Sequence, residues 1–102
     1  MAQHISVFQL KAQPGQRQAV IDHLMKWERE QKPAATGFEF LWAITKNDSK
    51  DELMGGVHFD TTENYFANAA RPEQDAWYSE LLALTDGEPV WFDGTDAAGF
   101  RA

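Results

Sequence analysis

The segment from Thr36 to Phe66 constrains the fold more than any other part of this 102-residue chain. Its sequence is TGFEFLWAITKNDSKDELMGGVHFDTTENYF, in which two runs rich in apolar residues flank a short polar stretch. This pattern predicts a β-hairpin, because consecutive side chains of a strand point to opposite faces. The DTTE sequence that follows resembles a helix-capping box, so we expect a helix to begin directly after the hairpin.

The rest of the chain places further strands and helices around this hairpin. We predict strands at 4–12, 38–45, 52–59 and 88–93, and helices at 16–31, from the capping box to 70, and at 73–85. The order β-α-β-β-α-α-β indicates a ferredoxin-like α+β fold, with a four-stranded antiparallel sheet and helices on one face. A chain of this length forms one domain. We expect residues 1–102 to be that domain, with a core at 4–93 and a tail at 94–102.

Apolar residues occur on both faces of the predicted strands. In the first strand, Phe8 and Leu10 lie opposite Ile5 and Val7, and the hairpin strands show the same pattern. Helices can cover only one face, so a monomer would expose roughly several hundred Å² of apolar sheet, the size of an interface. We therefore predict a homodimer in which two sheets pack face to face about a two-fold axis.

The composition excludes several classes of function. The net charge is −7, and the scattered lysines and arginines form no basic stripe, so no nucleic-acid partner is predicted. The absence of cysteine excludes disulfides and thiolate metal sites and fits a reducing compartment. There is no membrane-spanning apolar run, no signal-peptide pattern and no nucleotide-binding motif. We predict a cytoplasmic protein that needs no cofactor and contacts no membrane.

Three local sequences resemble motifs of a known family. Pro14-Gly15 precedes the first helix, Thr36-Gly37-Phe38 leads into the second strand, and Val57–Tyr65 joins the third strand to the next helix. Together they are similar to the antibiotic-biosynthesis-monooxygenase-like (ABM-like) domains, which are dimeric α+β barrel proteins. The resemblance extends over residues 4–93 and implies the homodimeric barrel. It also implies, as one possibility, a cofactor-independent monooxygenase.

The resemblance is incomplete at the positions that carry chemistry. Family members that oxidise polycyclic phenols commonly have an Asn and a Trp on the third strand and a Tyr on the following helix. Tyr65 matches that tyrosine, whereas Gly55 and Phe59 stand at the other two positions. Haem-degrading relatives bind iron through a histidine on the later helix, and residues 72–84 contain none, so haem is not predicted.

The three histidines are His4, His23 and His58. They fall on separate predicted elements without the short spacings typical of metal sites, so no metal is predicted. His23 lies at the edge of the buried face of the first helix. It is our candidate general base, because an imidazole can accept a phenolic proton near neutral pH. His58 is predicted to face the dimer partner. A structural or solvated role is the simpler interpretation of each histidine, and the roles of His4 and His58 stay open.

Aromatic side chains provide the candidate substrate-binding residues. Trp42, Phe59, Tyr65 and Trp77 are predicted to converge from the sheet and the two C-terminal helices, and Phe40 is a further candidate. Large flat side chains suit a planar ring, and Tyr65 can offer it one hydrogen bond. An ordinary packed core is the alternative interpretation of the same residues.

Two hypotheses follow. The first is a cofactor-independent monooxygenase acting on an electron-rich aromatic of the quinol or anthrone kind, with His23 as base and Tyr65 as donor to the oxyanion. The second is a non-enzymatic dimeric barrel that binds a small hydrophobic ligand or serves as an assembly module, which the missing Asn and Trp favour. A closed pocket of roughly a few hundred Å³ or more beneath Trp42 and Phe59, reached by His23 or Tyr65, would favour the enzyme.

Overall fold

The computed structural model describes residues 3–99. It contains the strands β1 (His4–Lys11), β2 (Phe38–Thr45), β3 (Glu52–Phe59) and β4 (Val90–Thr95), and the helices α1 (Arg17–Glu30), α2 (Thr62–Ala69) and α3 (Pro72–Leu82). A short 3-10 turn at Lys32–Ala34 follows α1. The predicted order β-α-β-β-α-α-β is confirmed. Within the described range, no helix is both long enough and apolar enough to cross a membrane.

The strands form one sheet in the order β2-β3-β1-β4, and every neighbouring pair is antiparallel. The strand β1 lies in the interior of the sheet between β3 and β4, while β2 and β4 form its edges. This arrangement confirms the predicted ferredoxin-like plan. The last strand ends later than predicted, because Gly94 and Thr95 pair with Ile5 and His4 of β1.

One face of the sheet is covered by the helices. The alternation predicted for β1 is confirmed, since His4, Ser6, Phe8 and Leu10 are buried while Ile5 and Val7 are only partly covered. Helices α1 and α3 pack onto this face through an apolar core. Its members include Val20, Leu24 and Trp27 from α1, Trp77 and Leu81 from α3, and Phe8, Leu53, Val57 and Phe59 from the sheet.

The second strand departs from the predicted alternation. A bulge shifts the register between Phe38, which pairs with Phe59, and Phe40, which pairs with His58. As a result Phe38 packs against Trp27 and Phe59 on the helix side, while Phe40 lies on the other side against His58. Regular alternation along the predicted strand 38–45 would put Phe38 and Phe40 on one face, but a bulge inserts a residue and reverses the alternation beyond it.

The face of the sheet that points away from the helices, which we call the open face, is largely apolar. Its most exposed large residues are Phe40, Ile44, Val90 and Phe92, with 55%, 59%, 67% and 73% of their surface accessible. They belong to the two edge strands. Between them lie the partly covered Ile5, Val7 and Met54. The prediction that apolar residues occupy both faces of the sheet is confirmed.

Candidate functional site

A cavity of about 80 Å³ lies between the helix side of the sheet and the helices. Its floor and walls are apolar, and a few polar side chains stand among them. The lining includes Phe8, Val57 and Phe59 from the sheet, Trp27, Trp77 and Leu81 from the helices, and Tyr65, Asn68, Gln74 and Trp91 with their polar groups. An apolar enclosure with few convergent polar groups is the usual form of a small-molecule site.

The start of α2 fixes the direction of Tyr65. Thr61 caps the helix, because its Oγ1 accepts a hydrogen bond from the backbone N–H of Asn64 at 3.0 Å. The Asn64 side chain donates to Asp60 Oδ1 at 2.9 Å and so secures the residue that precedes the cap. Residues three apart on a helix share a face. The capped helix therefore presents both Tyr65 and Asn68 to the cavity.

Tyr65 keeps its proton at neutral pH. Burial raises the pKa of its phenol above 10.0, the nearby Asp93 carboxylate raises this pKa further, and the Ser6 hydroxyl acts in the opposite direction. Desolvation has this effect because a phenolate loses its water on burial, whereas the neutral phenol loses little. Tyr65 is thus a hydrogen-bond donor at the cavity.

A hydrogen-bonded network lies beside Tyr65 on the helix side of the sheet. His4 Nε2 and Ser6 Oγ are 2.8 Å apart, and His4 Nδ1 lies 3.1 Å from Thr62 Oγ1. The Ser6 hydroxyl donates to Asp93 Oδ1 at 2.5 Å. The His4 ring stacks on the Tyr65 ring with 4.2 Å between their centroids.

Ser6 and Asp93 are not among the site residues predicted from the sequence. The available signal was the alternation of β1, which put two polar residues, His4 and Ser6, on its buried face. Buried polar groups are almost always hydrogen-bonded, so their partners could be expected nearby. The identity of the partner could not be read, because Asp93 lies on the last strand of the chain.

Two amide side chains add donors to the cavity. Arg71 Nε donates to Asn68 Oδ1 at 3.0 Å, and Trp27 Nε1 donates to Gln74 Oε1 at 2.6 Å. In each case the amide oxygen is engaged. Among residues 3–99, neither amide nitrogen donates a hydrogen bond to another side chain or to the backbone. Both NH₂ groups are therefore available to a ligand oxygen.

The structure does not bring His23 to the cavity. Its Nε2 lies 2.8 Å from the backbone oxygen of Trp77, and its ring stacks on the Trp77 indole with 4.6 Å between centroids. A carbonyl oxygen can only accept, so His23 Nε2 carries the proton in this contact. His23 lies outside the cavity lining, and its placement does not support the predicted role as a base there.

Trp42 and Phe40 also lie away from the cavity. Trp42 pairs with Gly56 across the β2–β3 ladder, and its Nε1 donates to His58 Nε2 at 3.0 Å on the open face. The predicted convergence of Trp42 with the other candidates was wrong, because its register places it on the side of Gly56 and His58. Of the predicted site residues, the structure brings together Phe59, Tyr65 and Trp77.

The ring of Phe8 fills the space that a side chain at position 55 would occupy. A Cβ atom at Gly55 would lie 2.3 Å from Phe8 Cζ and 2.7 Å from the backbone oxygen of Trp42. Gly55 stands where the resemblance to phenol-oxidising relatives implies an asparagine. Phe8 occupies that space here, so β3 contributes no polar side chain to the cavity, and most of its polar groups come from α2 and α3.

Two further grooves on the part of the chain that the structure describes do not resemble a catalytic centre. A groove of about 500 Å³ lies at one end of the open face, lined by Ile44, Met54 and Val90 together with charged residues. Another, of about 290 Å³, lies between α1 and the edge strand β2. Within residues 3–99, no group of three or more His, Asp or Glu side chains is arranged to hold a metal ion.

Comparison with solved structures shows which fold this is. A protein from Caulobacter crescentus, provisionally named an antibiotic biosynthesis monooxygenase, superposes with a TM-score of 0.82 over 95% of this chain and 92% of that one, at 11% identity. A protein from Chloroflexus aurantiacus with the same provisional name gives 0.78 over 97% of both chains, at 16% identity. The chain has the ABM-like fold.

The ABM-like fold also includes an enzyme named by its activity. A variant of SnoaB from Streptomyces nogalater, a cofactor-independent oxygenase, gives a TM-score of 0.70 over 97% of this chain and 95% of that one, at 13% identity. No protein-family model and no curated protein sequence match the chain. At such low identities the likeness establishes the ABM-like fold, and function has to be argued from the site.

Proposed function

We propose that this chain is a cofactor-independent monooxygenase acting on a small electron-rich aromatic of the quinol or anthrone kind. One observation carries the proposal: in an ABM-like fold, the neutral phenol of Tyr65 stands at a largely apolar, aromatic-lined cavity. Such a donor can stabilise negative charge on a ligand oxygen, and apolar surroundings strengthen the interaction.

The reaction needs no electrons from outside the substrate. An anthrone-like molecule loses a proton to water and becomes an anion, and the anion transfers an electron to O₂. The resulting radicals combine to a peroxide, which takes up a proton again. Loss of water then gives the quinone, so one oxygen atom enters the ring and the other leaves as water. The chain contributes by holding the anion: Phe59 and Trp77 enclose the ring, and Tyr65 donates to the oxyanion.

The size of the cavity limits how a substrate enters. Its volume of about 80 Å³ is below the roughly 300–1,000 Å³ of usual ligand pockets. A ring therefore enters only when a lining residue moves outward. Trp91 is the best placed to move, because it lies on the edge strand β4 and 39% of its surface is exposed.

The small cavity also favours the second hypothesis. A barrel that binds a small hydrophobic ligand without turning it over needs no larger space, and Phe8 excludes the asparagine implied by the oxygenase resemblance. The two hypotheses differ in oxygen consumption. A binding module takes up the ligand and consumes no oxygen, whereas the monooxygenase consumes oxygen and forms the quinone.

The decisive experiment measures oxygen uptake and product with model anthrones and quinols, in air and under nitrogen. We expect turnover by the wild type in air. Tyr65→Phe removes one donor to an oxyanion, which typically costs roughly 100- to 1,000-fold in turnover. Glu63→Gln, which changes an exposed residue of the same helix, serves as the control and should turn over like the wild type. Ligand binding without oxygen uptake by the wild type would establish the binding module instead.

We further infer that a second copy of the chain covers the open face. Phe40, Ile44, Val90 and Phe92 leave more than half of their surfaces exposed on it. Contiguous apolar patches of this kind mark interaction surfaces in soluble proteins. A two-fold arrangement buries the same residues from both copies at once, as the resemblance to dimeric barrels implies.

A further inference from the structure

Two of the amide side chains that line the cavity are held in one orientation. Trp27 Nε1 and Arg71 Nε each carry a hydrogen and can only donate, so the amide atom opposite each of them has to be an oxygen. Gln74 Oε1 lies 2.6 Å from Trp27 Nε1, and Asn68 Oδ1 lies 3.0 Å from Arg71 Nε. These bonds exclude the flipped form of each amide and direct both NH₂ groups away from the partners of the oxygens.

Arg71 is itself held in place. Its Nη2 donates at 3.1 Å to the side-chain oxygen of Gln31, the residue that follows α1, and its Nη1 lies 3.9 Å from a carboxylate oxygen of Glu73. A charged donor forms a stronger hydrogen bond than a neutral one. The guanidinium therefore keeps the Asn68 oxygen on its own side and the Asn68 nitrogen on the other.

The NH₂ group of Asn68 belongs to a buried residue, since Asn68 is 7% exposed. In the described part of the chain this NH₂ donates to no protein atom, yet no fully enclosed side-chain polar atom there lacks a partner. The Asn68 nitrogen is therefore in contact with open space, and Asn68 lines the cavity. Buried N–H groups are almost always hydrogen-bonded, so a molecule in the cavity is the expected partner.

The cavity offers these donors without a charge. Within residues 3–99, its lining contains no Asp, Glu, Lys, Arg or His. The indole N–H groups of its three tryptophans already have acceptors within the protein. The polar hydrogens left for a ligand are those of the Asn68 and Gln74 amides and the Tyr65 phenol. Neutral donors match a neutral acceptor, whereas a carboxylate would lose its hydration without gaining a counter-ion.

We propose that Asn68 and Gln74 form a carbonyl site, which binds the ketone oxygen of the ligand and selects aromatic ketones over rings that lack this group. Tyr65 precedes Asn68 by three residues on the same face of α2, a spacing that puts Cβ atoms about 5–6 Å apart. In an anthrone, the ketone oxygen takes up negative charge when the ring loses its proton, so the amides and Tyr65 then stabilise one oxyanion. The carbonyl site rests on the proposed function and narrows its substrate to ketones of the anthrone kind.

The test uses 1-indanone and indane, two flat bicyclic molecules that differ by one carbonyl oxygen. Both are measured under nitrogen, which separates binding from turnover. Tryptophan fluorescence gives the dissociation constant of each molecule, and infrared spectroscopy gives the carbonyl stretching band of bound 1-indanone. We expect this band at a lower frequency than in cyclohexane, because hydrogen bonds to the oxygen weaken the C=O bond.

Asn68→Asp and Gln74→Glu keep the oxygen that Arg71 or Trp27 binds and replace the NH₂ group with an acceptor. At about pH 8 the new acids are ionised, since their ordinary pKa values are about 4. Each variant should lower the affinity for 1-indanone relative to indane roughly tenfold, the equivalent of about one hydrogen bond. The band should move toward its position in cyclohexane. A purely structural defect would weaken both molecules alike and leave their affinity ratio unchanged.

Asn47→Asp is the matched control, because it makes the same exchange in the exposed loop between β2 and β3. Its affinity ratio should equal that of the wild type. The wild-type band requires no variant, so a folding defect in Asn68→Asp leaves the test intact. An unshifted band, no binding of 1-indanone by the wild type, or an unchanged ratio in either folded variant would overturn the carbonyl site. A changed ratio without oxygen uptake from anthrones would retain the carbonyl site and reject the monooxygenase. Oxygen uptake with an unchanged ratio would do the reverse.

Discussion

The side chains of His23 and Trp77 are each hydrogen-bonded to the backbone of the other residue. His23 Nε2 donates to the carbonyl oxygen of Trp77 at 2.8 Å, and Trp77 Nε1 donates to the carbonyl oxygen of His23 at 3.1 Å. Their rings are nearly parallel, with 9° between the planes. This reciprocal contact fastens α1 to α3 and holds Trp77 in the wall of the cavity.

We predict that His23→Ala lowers stability more than activity. Removing the imidazole deletes a buried hydrogen bond to the Trp77 carbonyl and the ring that stacks on the Trp77 indole, a loss of about 1–3 kcal/mol. Asp22→Ala, at an exposed neighbouring position, should change stability by less than about 0.5 kcal/mol. Denaturant unfolding and oxygen uptake together provide the measurement. A loss of turnover of roughly 100-fold or more at unchanged stability would show that His23 is the base after all.

Gly55→Ala is predicted to destabilise the protein. The new methyl group would meet Phe8 Cζ at 2.3 Å and a backbone oxygen at 2.7 Å, so β2 or Phe8 has to shift. Overpacking of this kind typically costs about 1–3 kcal/mol. Gly99→Ala is the control, because no atom lies within 4 Å of its added Cβ. Equal unfolding midpoints for the two variants would mean that Phe8 does not fill this position.

The raised pKa of Tyr65 predicts how stability responds to alkali. Below the ordinary tyrosine pKa of about 10, the phenol is neutral in both states and stability does not depend on it. Above that pH the unfolded chain ionises first, so stability falls as pH rises toward the folded pKa. Tyr65→Phe should remove this part of the decline, while Tyr78→Phe should retain it. Phenolate absorbance in Tyr78→Phe that develops at or below about pH 10 would contradict the burial of Tyr65.

Because the open face is apolar, we predict a dimer that one charged substitution on this face disrupts. Wild-type protein should sediment as a dimer, and Phe92→Asp should shift it toward the monomer, because each protomer would bury an unpaired carboxylate at the interface. Met25→Asp is the matched control, since Met25 is 52% exposed on α1, away from this face. Sedimentation of the wild type as a stable monomer at micromolar concentration would exclude the face-to-face dimer.

The sequence predicts the faces of a strand well when its pairing is regular. In β1 and β3 the alternation of side chains separates the buried residues from the open face correctly. In β2 the alternation fails at Glu39, where the strand has a bulge. A bulge depends on the register with β3, and no local pattern in the β2 sequence reveals that register. This one irregularity places Phe38 in the core and moves Phe40 and Trp42 away from the cavity.

The site was predicted only where helix periodicity or a motif pointed to it. Tyr65 follows a capping sequence and Trp77 lies on the apolar stripe of α3, so both could be identified. Ser6 and Asp93 are 87 positions apart, and their hydrogen bond exists only because β4 pairs with β1. Contacts of this range depend on topology, and the sequence alone does not specify which polar side chains will meet.

The NMR signals of the tryptophan indole N–H groups provide the most direct test of whether ligands bind between the sheet and the helices. Of the four tryptophans, Trp27, Trp77 and Trp91 line the cavity, whereas Trp42 lies on the open face. Titration with a quinol under nitrogen, followed by NMR, should shift the first three signals and leave that of Trp42 unchanged. A shift of the Trp42 signal with the other three unmoved would show that the ligand site is elsewhere.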